Sequence, residues 1–170
     1  MLNATFAVKQ LRQILQDYNY WPESESNSPL KVTRSKTMLS REDILSRDAE
    51  MRKAITANTG YKIPERTIAW KTLDETFKPL VARYMLKLVT ANEAMESGSC
   101  ELEVLGIIIE PLEFLIQIHS VFKELSSVKT AYVLDGKKGR DEGECYTGLF
   151  LIGNTDDSEV IVASTLLTQT

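Results

Sequence analysis

The first residues to consider are those that could act as an acid, a base, a nucleophile or a metal ligand. The chain has one histidine, His119. It falls on the apolar face of a helical pattern, with no Cys, Asp or Glu near it at metal-ligand spacing, which is typical of a core or rim histidine. The sequence therefore argues against catalysis that needs a histidine base.

Three further patterns have residue types found in chemical motifs but lack the context those motifs need. Ser126 and Lys129 have Ser-x-x-Lys spacing without its companion motifs. Asp135 and the acidic residues at 141–144 do not follow the calcium-loop pattern. The glycines and basic residues at 136–140 are not placed between a strand and a helix, as a phosphate loop requires. We therefore predict a solvated hairpin loop here, no metal site, no cofactor and no enzymatic activity.

Composition restricts the class of partner and the location. The 170 residues are 43% hydrophobic and carry a formal net charge of -4, which fits one acidic globular domain rather than a general nucleic-acid binder. An acidic surface favours a partner with a basic one. Cys100 and Cys145 lack metal or disulfide spacing and are predicted to be buried free thiols. With no signal-peptide pattern and no apolar run of about 18 residues, we expect a cytoplasmic protein without membrane contact.

The elements that must position any site are predicted from periodicity and capping residues. Asn3, Ser40 and Thr72 are each placed to cap a helix. The first helix should bury Phe6 and Leu11, and the second should bury the apolar residues of one face, Ile44, Leu45, Met51 and Ile55. The predicted helices cover 3–18, 40–58 and 72–95, and the predicted strands of this half cover 30–33 and 66–71.

The segment 100–125 is strongly apolar and open to two interpretations. The isoleucines around Gly106 fit a buried strand or part of a helix, whereas the residues from Pro111 onward favour a helix. Three β-rich segments then follow, at 127–134, 145–153 and 159–167, and predict an antiparallel meander. The fold class predicted is α+β, a single-domain α/β/α sandwich with a mainly antiparallel sheet.

An acidic loop at 20–29 lies between the first helix and the first strand. Two prolines and several polar residues exclude a helix or a central strand there. Tyr18, Tyr20 and Trp21 precede the loop and either form a contact surface or anchor the loop to the core. Glu23 and Glu25 would ordinarily be solvated charges.

Two segments of the sequence resemble the nuclease A inhibitor family. Residues 149–155 and 163–170 are similar to the family's C-terminal hairpin, with an apolar strand ending Ile-Gly-x-Thr, a turn, then Ser-Thr and a terminal Thr. Ser24-Glu25-Ser26-x-x-Pro29 is similar to its acidic loop. The resemblance implies one inhibitor-like domain over 1–170, with additional residues within 43–106 and 137–144.

The resemblance also implies an α/β/α sandwich that binds, without covalent chemistry, a sugar-non-specific, metal-dependent endonuclease. In this sequence Glu25 would meet a basic residue of the nuclease cleft, and Thr170 would approach the catalytic magnesium. The partner would be the nuclease protein and not nucleic acid. Further contacts at the rim are expected from Glu23, Ser24, Ser26, Asn27, Thr168 and Gln169.

The physical basis of such inhibition does not depend on the family. A nuclease cleft places basic side chains and a divalent cation around a phosphate, so fixed carboxylates can occupy the same positions. This requires Glu25 and Thr170 to lie on one side of the molecule, accessible to solvent. The alternative is a protein interaction or regulatory module on the same scaffold with no nuclease target.

Overall fold

The computed structural model describes residues 2–22, 24–25, 28–136 and 145–169, and these form four helices and one five-stranded sheet. The elements in chain order are α1 (Ala4–Asp17), β1 (Lys31–Ser35), α2 (Arg41–Thr56), β2 (Thr67–Lys71), α3 (Leu73–Glu96), α4 (Leu102–Lys123), β3 (Ser126–Leu134), β4 (Cys145–Asn154) and β5 (Val160–Gln169).

The sheet has the order β1-β5-β4-β3-β2, and every neighbouring pair is antiparallel. Helices α1, α3 and α4 cover one face and α2 covers the other. The prediction of a single α+β domain with helices on both sides of an antiparallel sheet is therefore confirmed.

All three predicted helix caps are present. The Asn3 side chain accepts from the Phe6 N–H, and Ser40 and Thr72 each form a reciprocal capping box with the residue three positions on. Each cap satisfies backbone donors that the first turn leaves without a partner, which is why these helices begin where they do.

The apolar run before Pro111 is helical, and the strand interpretation of it is wrong. Helix α4 is continuous from Leu102 to Lys123. Val104, Ile107, Pro111 and Leu115 recur at intervals of three or four residues, so the helical period continues through the isoleucines. By length and composition α4 could cross a membrane, but a core helix of a soluble protein passes the same test.

Three predictions of burial are also wrong. Phe6 is 48% exposed, because α1 packs through its small residues Ala4 and Ala7 instead. Ile55 is 42% exposed at the end of α2. Cys100 and Cys145 are free thiols as expected, but both are half-buried rather than buried.

Candidate partner-binding site

The acidic loop begins and ends at one pair of hydrogen-bonded residues. Asn19 follows α1, and Leu30 precedes β1. The Asn19 Oδ1 accepts from the Leu30 N–H at 2.7 Å, and the Asn19 Nδ2 donates to the Leu30 carbonyl at 3.5 Å. The two ends of the loop are thus held together.

The aromatic residues before the loop divide between the two roles left open by the sequence. Trp21 is 5% exposed and meets the rings of Phe77 and Phe114 edge-on, with ring centroids 5.6 and 6.3 Å away. Tyr18 packs at 5.3 Å against Phe114. Tyr20 is 51% exposed. Trp21 and Tyr18 therefore anchor the loop to the core, and Tyr20 is left at the surface.

The loop also covers the part of β5 that β1 does not reach. Strand β1 pairs with β5 only as far as Lys31 opposite Ser164. Beyond that, the Glu25 N–H donates to the Thr168 carbonyl at 2.9 Å, and the Thr168 N–H donates to the Ser24 Oγ at 3.1 Å. Backbone groups on an open strand edge need such partners, and the loop supplies them where the strand has ended.

One side of the molecule therefore holds both the acidic loop and the end of β5. Glu25 is exposed, while Thr168 is buried beneath the loop. Ser24 is half-buried and uses its hydroxyl to hold Thr168 in place. Gln169 is the last residue of β5 and pairs with Cys145. The predicted contact residues Glu23, Ser26, Asn27 and Thr170 lie outside the described residues.

An open groove of about 580 Å³ runs beside Glu25, between the loop and α2. Its lining includes Met51 and Ile55 of α2 and Lys31 of β1. The groove combines apolar lining residues with one acidic and one basic side chain, so it can receive a protein side chain that has an apolar stem and a charged end. It is lined by Glu25, Ser28, Pro29, Lys31, Met51, Ala54, Ile55, Tyr146, Ser164 and Thr168.

Beneath this edge, a fully buried arginine joins α2 to the sheet. The Arg52 Nε donates to Asp48 at 2.8 Å, and its Nη1 lies 3.3 Å from Asp135. Its Nη2 donates to the carbonyls of Val133 and Tyr146, each at 3.0 Å. A buried guanidinium needs this density of partners, because removing a charge from water costs several kcal/mol.

Two more residues complete this cluster, which we call the Arg52 network and define as Asp48, Arg52, Tyr61, Arg66 and Asp135. The Arg66 Nη1 donates to Asp48 at 2.6 Å, and the Arg52 Nη1 donates to the Tyr61 hydroxyl at 3.0 Å. Two arginines and two aspartates balance in charge. Burial by itself lowers the pKa of Arg52, but attraction to Asp48 and hydrogen bonds to Tyr61 and Asp48 outweigh it, so its pKa is raised above the ordinary value.

The Arg52 network requires a glycine on the neighbouring strand. A Cβ atom placed on Gly148 would stand 2.1 Å from the Asp48 Oδ1. That oxygen is buried and has no conventional hydrogen-bond partner among the described residues, so it faces the Cα–H of Gly148 instead. Only glycine lets strand β4 approach the carboxylate this closely.

The Arg52 network bears on the candidate site through Tyr146. The Tyr146 N–H donates to Asp135 at 3.2 Å and its carbonyl accepts from Arg52, while Thr168 pairs with Tyr146 across the sheet. Glu25 is in turn hydrogen-bonded to Thr168. A continuous series of hydrogen bonds and strand pairing therefore runs from the buried arginine to the exposed acidic loop.

Sequence reasoning missed this network and misassigned Asp135. We predicted Asp135 to belong to a solvated hairpin, but its side chain is 1% exposed and paired with Arg52. A signal was present in α2, because its buried residues recur every fourth position along one face. They are Ile44, Asp48, Arg52 and Thr56.

Among the described residues, the contacts of His119, Ser126 and Lys129 join none of these three side chains to another, and the predicted hairpin loop at 137–144 lies outside the described residues. The His119 Nε2 lies 3.1 Å from the Asp74 Oδ1 at the protein surface, and Asp74 also pairs with Lys78 at 2.8 Å. The bonds from Lys78 and then from His119 hold the pKa of Asp74 below its usual value. The Ser126 hydroxyl donates to the Asn154 carbonyl, and the Lys129 Nζ lies 4.4 Å from the Trp70 ring centroid.

Within the described ranges, no three His, Cys, Asp or Glu side chains are placed to hold a metal ion. Comparisons of the chain with protein-family models and with curated protein sequences find no significant match. The geometry of the loop and the edge of β5 is therefore the basis for a functional proposal.

Proposed function

We propose that this protein inhibits a metal-dependent, non-specific nuclease by placing carboxylates where the enzyme binds phosphates. The observation that carries the proposal is the pair of hydrogen bonds between Thr168 and the loop residues Ser24 and Glu25. It supports the proposal because the acidic loop then lies beside the end of β5. The resemblance to nuclease A inhibitors draws its two contacts, Glu25 and Thr170, from this loop and from the chain that follows β5.

The anchoring of the described loop residues contributes to this mode of binding. A carboxylate on a flexible segment loses conformational entropy when it binds, whereas the hydrogen bonds of Ser24 and Glu25 to Thr168 hold the backbone at Glu25 in place beforehand. An exposed Glu25 can then form a charge-assisted hydrogen bond with an arginine or lysine of the cleft. The net charge of -4 would also speed the encounter with a basic cleft, most strongly at low salt.

The test is a DNA-degradation assay in which a magnesium-dependent, non-specific nuclease is titrated with this protein. The parent protein should inhibit, and Glu25→Gln should weaken inhibition by about tenfold or more, because it removes one charge from a charge-assisted contact. Glu113→Gln is the matched control, since it makes the same charge change on an exposed position of α4 and should leave the potency unchanged. Equal potency of both variants, or no inhibition by the parent protein in molar excess, would contradict the proposal.

The role of Thr170 is a separate part of the proposal, and the resemblance alone supports it. Deletion of Thr170 should weaken inhibition if its carboxylate approaches the catalytic metal. Full potency after the deletion would remove Thr170 from the proposal and leave Glu25 as the principal contact. A thermal unfolding curve for each variant checks that the fold is retained.

The second candidate is an interaction or regulatory module with no nuclease target. The groove favours it, because Met51 and Ile55 of its α2 wall lie within 43–106, the range in which the resemblance implies additional residues. On this reading Ile55→Asp should abolish capture of the partner in a pull-down, and the parent protein should leave DNA degradation by the nuclease unchanged. Under either function we expect a cytoplasmic protein that performs no chemistry of its own.

A further inference from the structure

Strand β1 forms one edge of the sheet, and its outer side is open. It pairs with β5 along its whole length, Lys31–Ser35. In an antiparallel pair, every second residue directs both its N–H and its C=O away from the partner strand. Among the described residues, none outside β5 forms a hydrogen bond with a backbone group of β1. The outward groups of β1 can therefore pair with a further strand.

A groove borders β1 on each face of the sheet. On one face, Arg34 lines a groove with α1, and its Nη1 donates to the Thr5 hydroxyl at 3.4 Å. On the other face, Lys31 and Thr33 line a groove with α2, and Arg47 donates to the Thr33 hydroxyl at 3.0 Å. The two volumes are about 610 and 580 Å³. Because the side chains of a strand alternate between the faces of a sheet, those of an added strand would enter the two grooves in turn.

The groove on the α1 side is basic. Lys9, Arg12 and Arg34 line it, and none of the described Asp or Glu residues does. Lys9 and Arg12 are exposed, and neither forms an ion pair with a described residue. Arg34 already binds the Glu159 carboxylate through two hydrogen bonds, of 2.6 and 2.7 Å. The groove therefore offers two cations to an anionic ligand, although the whole chain has a net charge of -4.

These two cations lie along the length of β1. Helix α1 runs beside β1 in the opposite direction, because Thr5 near its start contacts Arg34 near the end of β1. At the other end, Asn19 follows α1 and is hydrogen-bonded to Leu30, which precedes β1. The two cations of α1 lie between these contacts and three residues apart, on the same side of the helix. A strand added to β1 would pass both of them.

The groove on the α2 side has charges of both signs. Lys31 and Arg47 line it together with Asp43 and Glu50. An added strand would therefore meet an excess of positive charge on the α1 side only. Its acidic side chains belong on that side, and uncharged polar side chains belong on the α2 side.

We propose that β1 binds an extended acidic segment of a partner protein, which adds a sixth strand to the sheet. The backbone of the segment would pair with the outward groups of β1. Acidic side chains at every second position would form charge-assisted hydrogen bonds with Lys9 and Arg12. This inference does not depend on the proposed nuclease inhibition, which uses the loop at the end of β5.

The charges favour this ligand over a second copy of the chain. Two copies that paired through their β1 strands would bring their α1 helices together on one face, with the cations of both copies opposed. Like charges placed in this way weaken association. A nucleic acid is also anionic, but its backbone has no alternating N–H and C=O groups to pair with a strand edge.

The first experiment measures the binding of a short fluorescein-labelled peptide, in which Glu and Thr alternate, by fluorescence anisotropy. The peptide should bind saturably, and added salt should weaken the binding. Lys9→Gln with Arg12→Gln should weaken it by about tenfold, because two charge-assisted contacts are lost. Lys53→Gln with Lys123→Gln makes the same charge change on exposed positions of α2 and α4 and should bind like the parent.

The second experiment tests the backbone pairing without changing the protein. In a strand, the amides of the Glu residues point to one edge and those of the Thr residues point to the other. Two peptides are compared, one with N-methyl groups on all Glu residues and one with N-methyl groups on all Thr residues. One of them should lose binding, and the other should retain it, because only one set of amides faces β1. Equal effects of the two modifications would overturn strand addition.

Amide hydrogen exchange followed by NMR locates the bound peptide. The outward amides of β1 should exchange more slowly when the unmethylated peptide is bound, whereas β2, the other edge strand, should be unaffected. Slower exchange in β2 but not in β1 would overturn the proposal.

The absence of saturable peptide binding would also overturn the proposal, as would equal binding by the two charge variants. A single-stranded DNA oligonucleotide that binds the parent more tightly than the peptide does, and that loses affinity for Lys9→Gln with Arg12→Gln, would assign the basic groove to nucleic acid instead.

Discussion

The two faces of the sheet are packed differently. On one face, α1, α3 and α4 pack through aliphatic and aromatic side chains. On the other face, α2 places a buried arginine where β3 ends and β4 begins. The first face is stabilised by the apolar surface area that it buries, so a small change in side-chain shape lowers the free energy of unfolding only a little. The Arg52 network gains stability only when every charge has its partner, because a single loss leaves another charge buried and unpaired. The two faces should therefore respond differently to substitution.

The largest effect should come from Arg52→Met, which keeps most of the side-chain volume and removes the charge. Asp48 and Asp135 would remain buried without their guanidinium, and we expect the free energy of unfolding to fall by about 4 kcal/mol. Urea unfolding followed by circular dichroism measures this loss. A loss below about 1 kcal/mol would mean that the network contributes no more than exposed ion pairs do.

Two glycines of β4, one facing each side of the sheet, allow the same substitution to be compared on the two faces. An added Cβ at Gly148 would stand 2.1 Å from the Asp48 Oδ1, whereas at Gly153 it would meet the Leu125 side chain at 2.9 Å. Gly148→Ala should cost about 3 kcal/mol because it displaces a buried carboxylate, and Gly153→Ala should cost about 1 kcal/mol because apolar side chains can shift. Equal losses in urea unfolding would contradict the difference between the faces.

The elements of this fold could be predicted because their signals are local. The caps at Asn3, Ser40 and Thr72 and the alternation in the three last strands lie within a few residues of the structure they specify. The first half of α4 was ambiguous because a run of isoleucines next to Gly106 fits a strand and a helix equally well until its length is known.

The Arg52 network could not be predicted because its partners are distant in sequence. The Arg52 side chain binds Val133 and Tyr146, which are 81 and 94 residues away. In a helix, Asp and Arg four residues apart ordinarily form an exposed pair. The prediction for the buried face of α2 therefore used only apolar residues, Met51 and Ile55 among them.

The candidate site was predicted in part. Composition marked Glu25 as an exposed loop residue, and the structure places it in an exposed position. Its position beside Thr168 depends on a backbone hydrogen bond between segments far apart in the sequence, and only the resemblance suggested that proximity. The Asn19–Leu30 closure of the loop had no signal in the sequence pattern.

A smaller effect is expected from a conservative substitution on the apolar face. Ile118 is fully buried within α4, and Ile118→Val removes one methylene group without exposing any polar atom. The free energy of unfolding should fall by about 1 kcal/mol. A loss as large as that of Arg52→Met in the same urea titration would show that the apolar face is no more tolerant than the other.

The smallest effect on the free energy of unfolding should come from the carboxylate of Asp157, at the exposed rim of the apolar face. Asp157 accepts from the Thr155 hydroxyl and from the Ala4 N–H at the start of α1, and these two bonds, in that order, lower its pKa below the ordinary 3.8. A carboxyl whose pKa is lower in the folded state stabilises the fold above its unfolded pKa, and this contribution is lost as the pH falls through the folded pKa. Asp157→Asn has no such titration, so its unfolding free energy should fall less than that of the parent between about pH 4 and pH 2. Urea unfolding at several pH values in that range measures the two slopes, and identical slopes would mean that the Asp157 carboxylate adds no pH-dependent stability to this rim.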